Sequence, residues 1–332
     1  MYRAALIGCG RIGAEFDEDP KRTEVATHAK AWALVDGAQF VAAADPDAEK
    51  RDKVAAAYGV PVYEDPATML AEVRPDIVSI ATPPHTHLAM VRDAVEAGAK
   101  AVWCEKPITA DIAEAREMVR VCDEAGVVLL IDHQRRFEPK HRAAREFVAG
   151  GGLGEIQQAT FTYGAGIANT GTHALDLMRA FLGDAEWVEA YESPNTSGKA
   201  DDPNIDATIR FASGVFGRLL AVDVDRWAAF ELDLMGTAGR LVIRKYGFAF
   251  DYYEVRDSDL YSGYSELYPA EMPFELPERE SPMLAGAAHI VACLDGAEQA
   301  LSTGVDGLAA LELIDALLAS AAADGERVTL IG

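Results

Sequence analysis

The segment Gly8-Cys9-Gly10-Arg11-Ile12-Gly13 constrains this chain more than any other. It follows the apolar run Ala4–Ile7 and precedes a potential helix start, the context in which a GxGxxG turn binds phosphates. In that setting Gly8 permits the tight turn, Gly10 lets the backbone approach a pyrophosphate, and Gly13 lets strand and helix pack closely. Arg11 and Ile12 lie in the same turn. A helix opening there would present N–H groups and a positive dipole end to the phosphates. A lone GxGxxG is a weak signal, so its weight depends on the rest of the chain.

Residues 2–132 alternate short apolar runs with longer amphipathic ones. Strands are expected at Ala4–Ile7, Phe40–Ala44, Ile77–Ala81, Ala101–Cys104 and Val127–Ile131. Helical patterns such as Pro66–Val73, His87–Ala97 and Ile112–Glu124 lie between them. The strands are continuous apolar runs, as in strands covered on both faces, and their alternation with helices predicts a parallel, doubly wound sheet. After about residue 132 the pattern changes. Ile156–Tyr163, Ala207–Phe211, Gly217–Val224, Phe230–Met235 and Gly239–Arg244 alternate like strands of a half-solvated antiparallel sheet. Thr172–Leu182 and about Gly307 to Ala323 read as helices, and the Pro- and acid-rich stretch Ser265–Pro282 as loop. The chain, at 332 residues, is too long for one ordinary core. The expectation is α/β: an N-terminal Rossmann dinucleotide-binding domain over 1–130 and a C-terminal α+β domain over 131–332.

The strand ends carry the candidate chemistry. Asp45 closes Phe40–Ala44, where a carboxylate accepts hydrogen bonds from both adenosine ribose hydroxyls and repels a 2′-phosphate, favouring NAD over NADP. Its distance from Gly13 exceeds the ~20 residues of the compact fingerprint, and Glu15–Ala26 reads as an inserted loop that accounts for the excess. Thr82-Pro83-Pro84-His85-Thr86-His87 follows the third strand, and Glu105-Lys106-Pro107 the fourth. Ligands of open α/β sheets bind outside these carboxyl ends. Thr82, Pro83, His87, Glu105 and Lys106 are therefore candidates on the cofactor side, with Lys106 alternatively an ion-pair partner of Glu105 or Asp132. Farther along, Asn169 lies four residues before His173 and Asp176 three after it, so a helix there puts all three on one face.

A net charge of −24 and the lack of a concentrated basic patch argue against a nucleic-acid partner. Cys9, Cys104, Cys122 and Cys293 have neither paired nor metal-ligand spacing, so reduced thiols and no metal are expected. With no signal-peptide core and no apolar run near the ~20 residues of a span, the expectation is a cytoplasmic protein without a membrane partner.

Together these motifs resemble the glucose-fructose oxidoreductase / inositol dehydrogenase (Gfo/Idh/MocA) family. The resemblance runs in order through Gly8–Gly13, Thr82-Pro83, Glu105-Lys106-Pro107, Gln134–Pro139, Leu153-Gly154-Glu155-Ile156, Gly171–Gly183 and Asp306-Gly307-Leu308. The EKP element combined with a GxHxxDxxxxxxG helix is its most specific part. The resemblance implies a C-terminal domain with a large, mostly antiparallel open sheet, through which such proteins associate as homodimers or homotetramers. It implies an NAD-dependent oxidoreductase acting on a sugar, cyclitol or related polyhydroxylated small molecule. In that family pattern Lys106 touches the nicotinamide ribose and the reacting hydroxyl, His173 transfers the proton, and Asp176 holds the helix's polar face. Many members have Asp where this chain has Asn169; an amide orients a hydroxyl but is no base, which leaves proton transfer to His173. Gln134 is expected beside the cofactor. Arg135, Arg136, Tyr163 and Asn169 are candidate substrate-facing groups, with Arg136 alternatively structural. Two other readings share the fold: an NAD-dependent glycoside hydrolase with a transient redox cycle, and a non-catalytic dinucleotide-sensing regulator.

Overall fold

A computed structural model describes residues 1–330 of the chain, which divide into two compact units. The first unit comprises Met1–Glu138 and Glu280–Leu308, and the second comprises Pro139–Arg279 and the chain from Ala309 onward. The expected division at 130/131 thus shifts to Glu138, and a segment from far along the chain returns to the first unit.

In the first unit, β1 (Tyr2–Ile7), β2 (Ala38–Ala44), β3 (Val62–Tyr63), β4 (Ile77–Ile80), β5 (Ala101–Cys104) and β6 (Val128–Ile131) form one sheet in the order β3-β2-β1-β4-β5-β6. Every pair is parallel. This is the doubly wound order whose topological switch point lies between β1 and β4. β4 and β5 are buried along their whole length, as their continuous apolar runs require. The connecting helices are α1 (His28–Leu34), α2 (Ala48–Tyr58), α3 (Pro66–Val73), α4 (His87–Glu96) and α5 (Ile112–Ala125). Their ends follow local chemistry. Asp47, Asp65 and Asp111 cap the N-termini of α2, α3 and α5, while Gly59 and Gly126 supply left-handed stops after α2 and α5. The returning helix Pro282–Leu294 places Met283, Ala287 and Ile290 in the same core as Trp103 and Phe137.

The glycine turn does not open directly into a long α-helix. A single π-helical turn, Arg11–Glu15, and a 3₁₀ turn, Phe16–Glu18, follow it, and α1 begins only at His28. The inserted loop expected over Glu15–Ala26 is thus largely ordered. Asp17 accepts the Ala26 N–H at 2.9 Å, hydrogen-bonds the Thr27 hydroxyl and pairs with Lys30 at 3.4 Å.

Among the described residues, the second unit holds α6 (Pro139–Ala149), α7 (Thr172–Leu182), most of the helix Gly304–Ala322 and nine strands: β7 (Ile156–Tyr163), β8 (Ala185–Glu192), β9 (Ile205–Phe211), β10 (Phe216–Ala221), β11 (Phe230–Gly236), β12 (Gly239–Arg244), β13 (Ala249–Asp257), β14 (Ser265–Ala270) and β15 (Val328–Thr329). Their order is β14-β13-β12-β11-β7-β10-β9-β8-β15, with only β10·β7 parallel. β9 and β12 alternate buried and half-buried residues, and Leu175, Leu177 and Met178 of α7 join Phe161, Ile209 and Leu232 in the core. Ser265–Ala270, expected as loop, is the edge strand β14. Pro269 is compatible with an edge, where a missing N–H breaks no central ladder.

Candidate functional site

The three glycines of the turn have different reasons to be glycine. Gly8 has φ +97°, and a Cβ there would lie 2.6 Å from the Ala81 carbonyl oxygen; a Cβ on Gly13 would lie 2.0 Å from the Gly8 oxygen. Both positions are glycine because β1, β4 and the π turn touch. At Gly10 a Cβ would meet nothing nearer than Lys50 Nζ at 4.0 Å. The fold makes no demand there, and the open backbone is the cradle that a pyrophosphate requires. The turn therefore fits a dinucleotide.

Asp45 joins β2 to this turn. One carboxylate oxygen accepts the Cys9 N–H at 2.8 Å and the other accepts the Asp47 N–H at 2.9 Å. Each oxygen keeps a second lone pair, so this arrangement is compatible with ribose hydroxyls as well. Arg11 is exposed, and Phe16 lies beneath both its guanidinium and that of Arg22, at 4.9 and 4.0 Å. Ile12 is half-buried beside the core.

Thr82 and Pro83 follow β4 at the carboxyl edge, and the Thr82 hydroxyl hydrogen-bonds that of Thr86 at 2.7 Å. His87, expected on the cofactor side, is corrected to a strut. It is wholly buried, and its two ring nitrogens lie 2.9 Å from the Thr82 oxygen and 3.0 Å from the Ile108 oxygen. The 3₁₀ turn Pro84–Thr86 carries it inward. Glu105 is also corrected: its carboxylate turns into the protein, where Oε2 accepts the Lys106 N–H at 3.1 Å and Oε1 lies 3.3 Å from His28 Nε2. Lys106 is half-buried at the end of β5, on the edge of the sheet that bears the glycine turn. Gln134 donates to Asp132 Oδ2 at 3.4 Å and lies 3.3 Å from the Met283 sulfur. Arg136 bonds the Leu301 oxygen and Asp306 Oδ1 within the first unit, each at 3.0 Å, which fits the structural of its two expected roles.

In the second unit, His173 lies half-buried in the first turn of α7, and Asp176 is buried one turn later. Asn169 sits in a π-helical turn, Ile167–Gly171, so its spacing to His173 crosses a π–α junction. Its side-chain amide donates to the Ala165 oxygen at 3.2 Å. Asp202, which sequence reasoning did not single out, accepts the Ala168 and Asn169 N–H groups at 2.8 and 3.0 Å and anchors this turn. No local motif marks Asp202, because the N–H groups that it accepts lie more than thirty residues away. Tyr163 is corrected from substrate-facing to core. It is fully buried, and its hydroxyl donates to the Ile205 oxygen at 3.0 Å and accepts the Ile205 N–H at 2.7 Å. His28 and Asp132 were likewise not candidates, although both pack against Glu105.

A family model described as "Oxidoreductase family, NAD-binding Rossmann fold" matches residues 2–133, and the GFO/IDH/MocA C-terminal domain model matches residues 162–242. The chain belongs to the Gfo/Idh/MocA family. It is an oxidoreductase with an NAD-binding Rossmann domain. It is 27% identical over 359 aligned positions to the D-apiose dehydrogenase of Paraburkholderia graminis, covering 99% of this chain and 90% of that one. It is 34% identical to the inositol 2-dehydrogenase of Rhizobium meliloti over 48% of this chain and 44% of the relative. The fold is shared with the WlbA dehydrogenase from Bordetella pertussis, solved in complex with NADH and UDP-GlcNAcA, at 23% identity and a TM-score of 0.79, over 100% of this chain and 99% of that one. Among the described residues, no helix of this family member is long and apolar enough to cross a membrane.

Proposed function

We propose that the protein is an NAD-dependent dehydrogenase or reductase that moves a hydride between the nicotinamide and a hydroxyl-bearing carbon of a sugar, cyclitol or related polyhydroxylated molecule. One observation carries the reading: the carboxyl edge of a single parallel sheet holds both the open glycine turn and, at the end of β5, Lys106. The names of the D-apiose and inositol dehydrogenases support the substrate class. The bound cofactor supplies the hydride acceptor or donor. Lys106 contributes positive charge to the oxygen that becomes alkoxide-like, an electrostatic role that a fixed cation fills well. His173 takes the hydroxyl proton, or returns it in the reverse direction, since an imidazole titrates near neutral pH. Asn169 orients a substrate hydroxyl without acting as a base, and Asp176 holds the polar face of α7.

The test is NADH formation from NAD with a panel of aldoses, polyols, glycosides and nucleotide sugars. Lys106→Ala and His173→Ala are each expected to lower kcat by about 10²–10⁴-fold on the substrate found. Undiminished turnover in both variants refutes these roles. Glycoside cleavage without NADH accumulation would replace the reading with a transient redox cycle, and tight NAD binding without turnover would replace it with a sensor.

A further inference from the structure

Behind Lys106 the first unit buries an acid pair that the reaction above does not use. Glu105 follows β5 and Asp132 follows β6, and these strands are parallel neighbours in register at Cys104 and Ile131. His28 reaches the same place as the first residue of α1. Asp132 and His28 have no exposed surface, and one side-chain nitrogen or oxygen from each of the three residues lies within 4.8 Å of the others. Glu105 gathers donors: the Lys106 N–H on Oε2 and His28 Nε2 facing Oε1. Asp132 does not. Its Oδ2 receives only the Gln134 amide at 3.4 Å, and its buried Oδ1 has no protein donor in reach. The Asp132 and Glu105 carboxyls nevertheless lie within 4.8 Å of each other, buried from water. Two carboxyl groups buried this close do not both ionise, and the group with fewer N–H donors is the one that keeps its proton.

We propose that Asp132 is a carboxylic acid in the working enzyme and a positioning residue: its proton, together with a neutral His28, leaves Glu105 as the one buried carboxylate, which fixes the Lys106 backbone and faces the Lys106 charge. The positioning clause rests on the role given to Lys106 above. Burial pushes Asp132 well above the usual carboxylate range and also raises Glu105, and it lowers His28 to about 4. The titratable groups facing the pair are His28 from α1, Cys104 at the end of β5 and Lys106 beyond it; burial holds the Cys104 thiol well above its ordinary value. The insertion after the glycine turn acquires a purpose in this arrangement. Asp17 holds Ala26 and Thr27, Thr27 caps α1 at the Lys30 N–H, and His28 is delivered to Glu105.

The proton is tested first without any variant. Infrared spectra of the wild-type protein are expected to show a carbonyl band of a protonated carboxyl that persists at neutral pH, far above the ~4 of an ordinary aspartate, and that is absent from Asp132→Asn. The second measurement is thermal stability against pH. A folded-state acid that keeps its proton above its unfolded pKa loses stability as pH rises through that window. Asp132→Asn lacks this contribution, so its melting temperature should gain on the wild type by a few degrees per pH unit as the pH rises above about 5. The third is catalysis: Asp132→Ala should lower kcat about tenfold or more with little change in KM. Asp132→Asn, isosteric with the protonated acid, should rescue kcat and displace the alkaline limb of the pH profile. The assignment is overturned by absence of the band, by a pH-independent stability difference, or by a divalent cation bound stoichiometrically to wild type and lost from Asp132→Asn. If the band and the stability shift appear but no substrate is turned over, the positioning role falls with the dehydrogenase reading, while the proton stands.

Discussion

Replacing the three turn glycines one at a time by alanine separates what the fold needs from what the cofactor needs. At Gly13 the new methyl would overlap the Gly8 carbonyl, with its oxygen at 2.0 Å and its carbon at 3.0 Å, and backbone cannot swing aside as a side chain can. Overpacking of that kind costs about 1–3 kcal/mol or more. At Gly8 the overlap with Ala81 adds to a backbone at φ +97°. Left-handed strain of about 1–2 kcal/mol plus a similar overlap term makes a loss of roughly 2–5 kcal/mol. Gly10 has φ −76°, which alanine adopts readily, and only the tip of the flexible Lys50 stands near. Its replacement should change stability by less than about 0.5 kcal/mol. The same methyl would lie where the pyrophosphate meets the backbone, and one lost hydrogen bond to a charged group is worth about 1.5–3 kcal/mol, or roughly ten- to a hundredfold in Kd. Denaturant titration of the three variants gives the stabilities, and NADH fluorescence titration gives the affinities. NAD at 100 times the wild-type Kd should stabilise the wild type by about 2.7 kcal/mol and Gly10→Ala far less. The reasoning is refuted if Gly10→Ala binds NADH as tightly as wild type, or loses as much stability as Gly13→Ala.

Tyr163→Phe removes the acceptor of the Ile205 N–H and should cost about 1–3 kcal/mol of stability, while turnover per folded molecule is retained; a large rise in KM would return Tyr163 to the substrate. Asp45→Ala should lower the ratio of NAD to NADP affinity at least about tenfold, because the carboxylate that repels a 2′-phosphate is gone. It should also destabilise the glycine turn by about 1–3 kcal/mol as the Cys9 and Asp47 N–H groups lose their acceptor. An unchanged affinity ratio would remove Asp45 from cofactor selection.

The parallel sheet was legible because buried strands leave continuous apolar runs. Ala101–Cys104 was located to the residue, whereas the two-residue strand Val62–Tyr63 is too short to show a pattern. The return of Pro282–Leu294 to the first core carries no local signal, since membership of a core is a matter of distant partners. Tyr163 was a different failure. Ala159, Phe161 and Tyr163 share one face of β7 and all are buried, so parity along the strand already pointed inward. Nor could His28 be anticipated, because the ordered insertion breaks the turn-to-helix spacing on which such an assignment would rest.

The polar residues at strand ends show where reading a sequence reaches its limit. Asp45, Thr82 and Glu105 were found by one rule, that a polar residue ending a buried parallel strand stands at the ligand edge, and the same rule applies to Asp132. The rule gives position along the strand and says nothing about the neighbouring strand, which decides the chemistry. Beside β2 lies β1, whose end is the glycine turn, so Asp45 meets the Cys9 N–H and serves as an acceptor. Beside β6 lies β5, whose end is Glu105, so Asp132 meets another acid. Sheet order and register turn one aspartate into a tether for the cofactor loop and the other into the holder of a proton behind Lys106. An account of this site that used the four strand-end residues interchangeably would predict that Asp132→Asn and Asp45→Asn weaken NAD binding alike. The roles proposed above predict a difference instead: Asp45→Asn should lose cofactor affinity, and Asp132→Asn should keep it while shifting the alkaline limb.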